Sequence, residues 1–101
     1  MTFVELEASV FKNAVETGNE IFLMDVREEY EFEDDNIGGH NIPMAEVLSK
    51  MNKFQNLENI YIICKSGKRS KAVAHRLSGE LKNCKIYSCK DGISAFSELQ
   101  L

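Results

Sequence analysis

Apolar runs and amphipathic segments alternate along this chain. Residues 21–24 and 60–63 are continuous runs of apolar and aromatic side chains, a pattern typical of strands buried on both faces of a parallel sheet. Residues 2–6, 41–43 and 85–89 have the composition of further strands, and Pro43 ends the second of these because proline cannot continue a ladder. The pattern therefore predicts five strands.

Segments with apolar residues at helical spacing separate these strands. The first, residues 10–16, has Ser9 as its expected N-cap and Gly18 as its expected left-handed C-cap. The acidic residues 28–34 predict a short helical turn anchored by Tyr30 and Phe32. Further helices are predicted at residues 44–51, 68–82 and 93–99, and the buried side of the long one is assigned to Ala72, Val73, Ala74, Leu77 and Leu81.

Strands that alternate with helices over 101 residues indicate an α/β protein. Crossovers between parallel strands are right-handed and bring helices to both faces of the sheet. The predicted fold is a three-layer α/β/α arrangement with a central, mostly parallel five-stranded sheet. Residues 1–101 are expected to form one domain, since their number is close to the commonest domain size.

Candidate chemistry lies where the second apolar run ends. Cys64 follows that run directly, and the next six residues hold three basic side chains and a glycine. Ligands of α/β proteins bind outside the carboxyl ends of the strands, near the free N–H groups of helix N-termini. A helix start and nearby cations favour thiolate over thiol, so Cys64 is the candidate nucleophile.

Composition narrows the class of partner. The apolar share of 44% and the charged share of 28% are those of an ordinary globular domain, and the net charge of −4 argues against a nucleic-acid partner. Cations cluster at residues 65–71, which predicts a small anionic ligand there. No apolar run reaches bilayer length and no signal-peptide pattern follows Met1, so the sequence predicts a cytoplasmic protein without a membrane partner.

Two further cysteines, Cys84 and Cys89, lie near the last strand. The three cysteines lack the paired spacing of zinc sites, so neither a metal nor another cofactor is predicted. Cys89 occupies an apolar slot of the last strand and is interpreted as a buried core thiol, with a resolving disulfide to Cys64 as the alternative. Cys84 lies in a polar turn and is expected to be exposed.

Four short motifs have the order and spacing of one known family. The chain resembles a single rhodanese-like sulfurtransferase domain, most closely at residues 64–70 (CKSGKRS), which match the family's C-x-x-G-x-R-S active-site loop. The chain departs from the family pattern at Asp35, Asn36, Asp91 and Phe96, and these differences affect the surrounding loops rather than the nucleophile. The other three motifs are residues 25–32 (DVREEYEF), 37–43 (IGGHNIP) and 91–96 (DGISAF).

The resemblance implies that Cys64 takes the outer sulfur of an anionic donor such as thiosulfate. A Cys64 persulfide forms, and a thiol or protein acceptor then removes the sulfur, as in other covalent catalysis with two half-reactions. Asp25 and Arg27 match a strand-end pair and are interpreted as tying loops together beside the site. The expected persulfide cradle, with Arg69 as the best-placed bidentate contact for an oxyanion, is Lys65, Ser66, Gly67, Lys68, Arg69 and Ser70.

Two alternative functions remain open at this point. A cysteine phosphatase or arsenate reductase needs the loop C-x5-R, but Ser70 stands where that arginine would be and Arg69 falls one residue early. A persulfide carrier or regulatory binding module could keep the same fold without activity on thiosulfate. The intact Cys64 in its basic loop favours the sulfurtransferase.

Overall fold

Five parallel strands form the sheet that the apolar runs predicted. In the computed structural model, which describes residues 2–99, the strand order is β1-β5-β4-β2-β3 and every neighbouring pair is parallel. The prediction of a parallel α/β sheet is confirmed. The strands are β1 (Val4–Leu6), β2 (Ile21–Asp25), β3 (His40–Asn41), β4 (Asn59–Ile63) and β5 (Lys85–Cys89).

Helices connect these strands and cover both faces of the sheet. The α-helices are α1 (Ala8–Thr17), α2 (Glu29–Asp34), α3 (Lys68–Glu80) and α4 (Gly92–Glu98). Two consecutive 3-10 turns, Met44–Glu46 and Leu48–Phe54, are together called the 3-10 segment. Within residues 2–99, no helix is both long enough and apolar enough to cross a membrane.

The central strand β4 divides the core into two parts. Tyr61 and Ile63 point to the face covered by α1 and α4, where the ring of Phe11 lies 5.3 Å from that of Tyr61 and 6.0 Å from that of Phe96. Ile60 and Ile62 point to the opposite face, which is covered by α3 and the 3-10 segment. Successive strand residues alternate between faces, so Cys64, next after Ile63, lies on the α3 face.

Three local expectations were wrong. Helix α1 begins at Ala8 because only Glu7 separates it from β1, so Ser9 lies inside the helix and no side chain caps its start. Gly18 has extended backbone (φ −78°, ψ 156°) rather than a left-handed conformation. Tyr30 is 73% exposed and does not anchor α2.

The helix expected at residues 44–51 is also wrong, because this stretch forms the 3-10 segment with a kink at Lys50 (φ −109°, ψ 17°). The two spacings of three residues also suit a 3-10 helix, in which side chains at i and i+3 lie above one another. Within this segment Val47 is buried, whereas Met44 and Leu48 are 42% and 47% exposed.

Candidate functional site

Cys64 lies at the carboxyl end of β4, under the start of α3. Its side chain is fully buried, and its sulfur accepts hydrogen bonds from the N–H groups of Gly67 (3.1 Å) and Ser70 (3.3 Å). Backbone N–H groups at a helix start carry partial positive charge. The loop therefore presents two backbone donors to the sulfur.

Gly67 makes the turn between Cys64 and α3. Its φ of +96° lies in the region that favours glycine, and it is the residue from which α3 begins. A Cβ atom there would lie 2.9 Å from the backbone nitrogen of Asp91 and 3.3 Å from the carbonyl oxygen of Cys89. The glycine is thus needed both for the turn and for the close approach of the chain after β5.

The start of α4 holds the same loop from the other side. The N–H groups of Ile93 and Ser94 donate to the carbonyl oxygens of Cys64 (2.9 Å) and Lys65 (3.1 Å). Gly92 permits this contact, because a Cβ atom there would overlap the Cys64 carbonyl oxygen and lie 2.5 Å from that of Lys65. The closing motif of the sequence is therefore part of the framework of the Cys64 loop.

The hydroxyl of Ser70 is buried and forms hydrogen bonds with groups other than the cysteine. Ser70 Oγ lies 3.2 Å from the carbonyl oxygen of Gly67, to which it donates, and 2.8 Å from Ser88 Oγ. Both serines are 0% exposed. Ser88 lies in β5 opposite Ile62, on the same face of the sheet as Cys64. Ser88 was not among the residues predicted from the sequence, although a serine at a buried strand position was a usable signal.

The cations of the loop have different surroundings. Lys65 and Lys68 are exposed to solvent, whereas both terminal nitrogens of Arg69 hydrogen-bond the two carboxylate oxygens of Glu31 in α2 (2.8 and 3.0 Å). This contact lowers the pKa of Glu31 to about 2. The bidentate partner of Arg69 in the structure is a carboxylate of the same chain rather than the oxyanion expected from the sequence.

Asp25 and Arg27 form a buried ion pair beside the site. Their exposed fractions are 0% and 5%, and the guanidinium contacts both oxygens of Asp25, the shortest distance being 2.9 Å. Arg27 also donates to the carbonyl oxygen of Asp35, at the end of α2. Asn41 donates to the carbonyl oxygens of Asp25 and Arg27. The pair therefore connects β2 with the end of α2.

The other thiols differ from Cys64 in their surroundings. Cys89 is fully buried on the α1 and α4 face, and burial raises its pKa to about 12. Cys84 is half-buried rather than exposed, and burial raises its pKa too. All three cysteines are free thiols. No group of His, Cys, Asp or Glu suited to a metal ion occurs among residues 2–99.

Fold and site together define a class: a parallel α/β domain that holds a thiol between the end of its central strand and the start of a helix. The chain belongs to the rhodanese-like domain family, whose match extends over residues 7–99.

Relatives of known structure share this architecture. SSP1007 from Staphylococcus saprophyticus is 27% identical, with a TM-score of 0.81 and 93% of each chain covered. A rhodanese-related protein from Thermoplasma volcanium is 23% identical, with a TM-score of 0.80, covering 97% of this chain and 94% of the other.

A relative among curated proteins is the Bacillus subtilis protein YrkF, named as a candidate sulfur carrier. It is 36% identical over 74 residues, which are 72% of this chain and 40% of YrkF. The chain thus spans less than half the length of that relative. The family and this relative together relate the chain to sulfur transfer in general.

Proposed function

We propose that the chain acts as one domain that transfers sulfane sulfur through a Cys64 persulfide. The Cys64 thiolate attacks the outer sulfur of thiosulfate or of another persulfide. With thiosulfate, the S–S bond breaks, sulfite leaves with the bonding electron pair, and the outer sulfur stays on Cys64. An acceptor thiolate, or cyanide in an assay, then attacks this sulfur and regenerates the Cys64 thiolate. Two half-reactions of this kind give ping-pong kinetics.

The observation that carries the proposal is the pair of N–H donors on the Cys64 sulfur, from Gly67 at 3.1 Å and Ser70 at 3.3 Å. These donors are fixed by the backbone and stabilise negative charge on sulfur without a metal ion. A persulfide is anionic, so the same loop suits both the attacking thiolate and the covalent intermediate.

The charged side chains around the loop favour an anionic donor. Lys65 and Lys68 are exposed beside the buried thiol and attract an approaching dianion. We assign Arg69 a different role from the one expected, because its guanidinium group already hydrogen-bonds the carboxylate of Glu31. It adds positive charge near the loop and fixes α2 against α3. The three free thiols fit a reducing compartment such as the cytoplasm.

The alternative functions are less well supported. A phosphatase loop closes its arginine around a tetrahedral oxyanion, whereas here Ser70 occupies that position and its hydroxyl contacts Gly67 and Ser88. A persulfide carrier without activity on thiosulfate is the second candidate, and the name of the relative YrkF favours it. The carrier differs only in its donor, so one experiment separates the two.

Intact-protein mass spectrometry after exposure to thiosulfate tests the proposal. We expect a gain of one sulfur atom, roughly 32 Da, that cyanide or a thiol removes. Cys64→Ser will abolish the gain with a nearly unchanged midpoint of thermal unfolding, since the serine oxygen can accept the same two N–H bonds. Cys84→Ser is the matched control, because it removes a half-buried thiol far along the chain from the loop and will retain the gain.

Three other outcomes would change the assignment. A gain from glutathione persulfide but not from thiosulfate would make the chain a carrier. If Cys64→Ser lost its thermal stability together with its sulfur uptake, Cys64 would be a structural thiol. Hydrolysis of an aryl phosphate with no sulfur uptake would favour the phosphatase.

A further inference from the structure

An apolar groove lies between α3 and the 3-10 segment. Two of its residues, Met44 and Leu48, are among the most exposed large apolar side chains of the described residues, at 42% and 47%. Ala72, which the sequence assigned to the buried side of α3, is exposed here instead. The residues that line the groove are Met44, Val47, Leu48, Ala72, Val73 and Arg76.

The groove begins close to Cys64. The N–H of Val26 donates to the carbonyl oxygen of Ile63, the last residue of β4 (3.0 Å). The N–H of Met44 in turn donates to the carbonyl oxygen of Val26 (3.0 Å). Met44 is therefore two hydrogen-bonded steps from Ile63, the residue before Cys64, which is about 10 Å at the usual strand spacing. An extended segment of about three residues spans that distance.

The α3 side of the groove is basic. Ala72 has Lys68 one turn before it and Arg76 one turn after it, so the three side chains lie along one stripe of the helix. Lys68 is exposed, and the side chain of Arg76 is 60% exposed with Glu80 3.7 Å away. On the opposite side, Glu46 is the carboxylate of the 3-10 segment nearest to Met44 and Val47 in sequence. A ligand that lies along α3 would thus meet apolar atoms between two cations.

We propose that this groove docks an extended segment of a partner protein that exchanges sulfur with Cys64. The segment has an apolar side chain about three residues from its own cysteine, and acidic residues that face Lys68 and Arg76. This inference rests on the proposed sulfur transfer and adds its partner class. A small acceptor such as cyanide needs no such groove, whereas a protein must align its thiol with a fully buried sulfur.

The transfer itself balances without an added oxidant. The partner's thiolate attacks the outer sulfur of the Cys64 persulfide, and a new S–S bond forms on the partner's cysteine. The bond between this sulfur and Cys64 Sγ breaks, and its electron pair returns to Cys64 as thiolate. The groove contributes alignment, which makes the attack effectively intramolecular.

A peptide acceptor tests the proposal. The peptide has one cysteine, leucine three residues away on both sides, and glutamates at its ends. The measured quantity is the ratio of kcat/KM for this peptide to that for cyanide, using persulfidated protein. We expect Leu48→Gln to lower the ratio roughly tenfold, the amount set by losing the burial of one aliphatic side chain.

Val10→Gln is the matched control. Val10 is 51% exposed, close to the 47% of Leu48, but it lies on α1 at the opposite face of the sheet. This variant will leave the ratio unchanged. An unchanged ratio in Leu48→Gln, or an equal fall in Val10→Gln, would overturn the docking site.

Binding measurements keep this proposal separate from the proposed function. Fluorescence anisotropy of the labelled peptide with Cys64→Ser protein needs no sulfur chemistry, so it reports docking even if thiosulfate is not a donor. We expect weaker binding for Leu48→Gln protein and for a peptide with lysines in place of the glutamates. Equal binding of the lysine peptide, or sedimentation showing a dimer that Leu48→Gln dissociates, would contradict an acidic protein partner.

Discussion

Ser70 connects three parts of the site with one residue. Its N–H donates to Cys64 Sγ, and its hydroxyl contacts both Gly67 and Ser88. Because the Ser70 hydroxyl donates to the carbonyl oxygen of Gly67, the Ser88 hydroxyl supplies the hydrogen of the 2.8 Å contact between the two serines. Both side chains are then satisfied although neither reaches solvent. The position of one sulfur donor thus depends on a residue of β5.

A double-mutant cycle will detect this serine pair. We expect Ser70→Ala and Ser88→Ala to couple by about 1 kcal/mol in the free energy of unfolding, the usual net contribution of a hydrogen bond. The cycle cancels the different helix and strand propensities of serine and alanine. Urea unfolding of the two single variants and the double variant measures it.

The control for this cycle pairs Ser88→Ala with Ser78→Ala. Ser78 is also in α3, but its hydroxyl donates to the carbonyl of His75 within the helix. These two changes will add within about 0.5 kcal/mol. Additivity of the Ser70 and Ser88 changes to the same degree would show that the contact contributes nothing to stability.

At this scale, the sequence revealed the residues that act through the backbone but not the side-chain pairs. Gly67 and Cys64 could be assigned from a local motif, because a turn after a strand places them together whatever the rest of the chain does. The contact of Arg69 with Glu31 joins residues 38 apart, and that of Ser70 with Ser88 joins residues 18 apart. Neither pair follows from local spacing.

Helix α4 holds the Cys64 loop in place through backbone hydrogen bonds. Its first N–H groups donate to the carbonyl oxygens of Cys64 and Lys65 rather than remaining free. This close approach has no room for a side chain at Gly92, where φ is +58°. The arrangement is a contact between two elements, so changing it will affect both the stability of the protein and the geometry of the thiol.

Gly92→Ala will lower the free energy of unfolding by about 2 kcal/mol or more, since the new methyl group meets backbone atoms that cannot rotate away. The rate of persulfide formation with thiosulfate will fall as well, because the loop and α4 must separate. Urea unfolding and the kinetics of sulfur uptake provide the two measurements.

Gly38→Ala is the matched control for this change. Gly38 also has positive φ (+95°), but a Cβ atom there would meet nothing within 4 Å. This variant will lose only the backbone preference of glycine and will take up sulfur at the normal rate. If the two variants slowed sulfur uptake equally, the contact of α4 with the loop would not be the cause.

Predictions of elements succeeded where burial determined the structure. β2, β4 and β5 lie within a residue of their expected bounds, because apolar runs bounded by polar turns leave few alternatives. The 3-10 segment was mistaken for an α-helix because apolar spacings of three residues occur in both kinds of helix. The start of α1 was misplaced because the short connection from β1, rather than the capping preference of Ser9, determines where the helix begins.

For the molecule as a whole, the strand order brings acidic α2 next to the basic start of α3. Glu31 and Arg69 join these two helices, and the same contact lowers the pKa of Glu31 to about 2 from its usual 4.5. A carboxyl with a lowered pKa in the folded state stabilises the fold fully above its unfolded pKa. This contribution disappears as the pH falls from about 4.5 towards 2.

Glu31→Gln will therefore destabilise the protein near neutral pH, and the difference from the original chain will shrink as the pH falls from 4.5 to 2. The expected difference is about 1 kcal/mol or less, since the side chain of Arg69 is 33% exposed and solvent screens the pair. Urea unfolding at a series of pH values measures this, and Glu33→Gln on the same helix is the control. A difference that stays constant across this pH range would contradict the assignment.

The order of the elements along the chain also determines when the site can form during synthesis. α4 follows Cys64 in the chain and is made after every other part of the site. Until α4 has formed, the Cys64 and Lys65 carbonyl oxygens lack the N–H groups that α4 provides. A growing chain that has not yet extended through α4 therefore holds Cys64 in a loop without these contacts, and the sulfur site is complete only once α4 has docked.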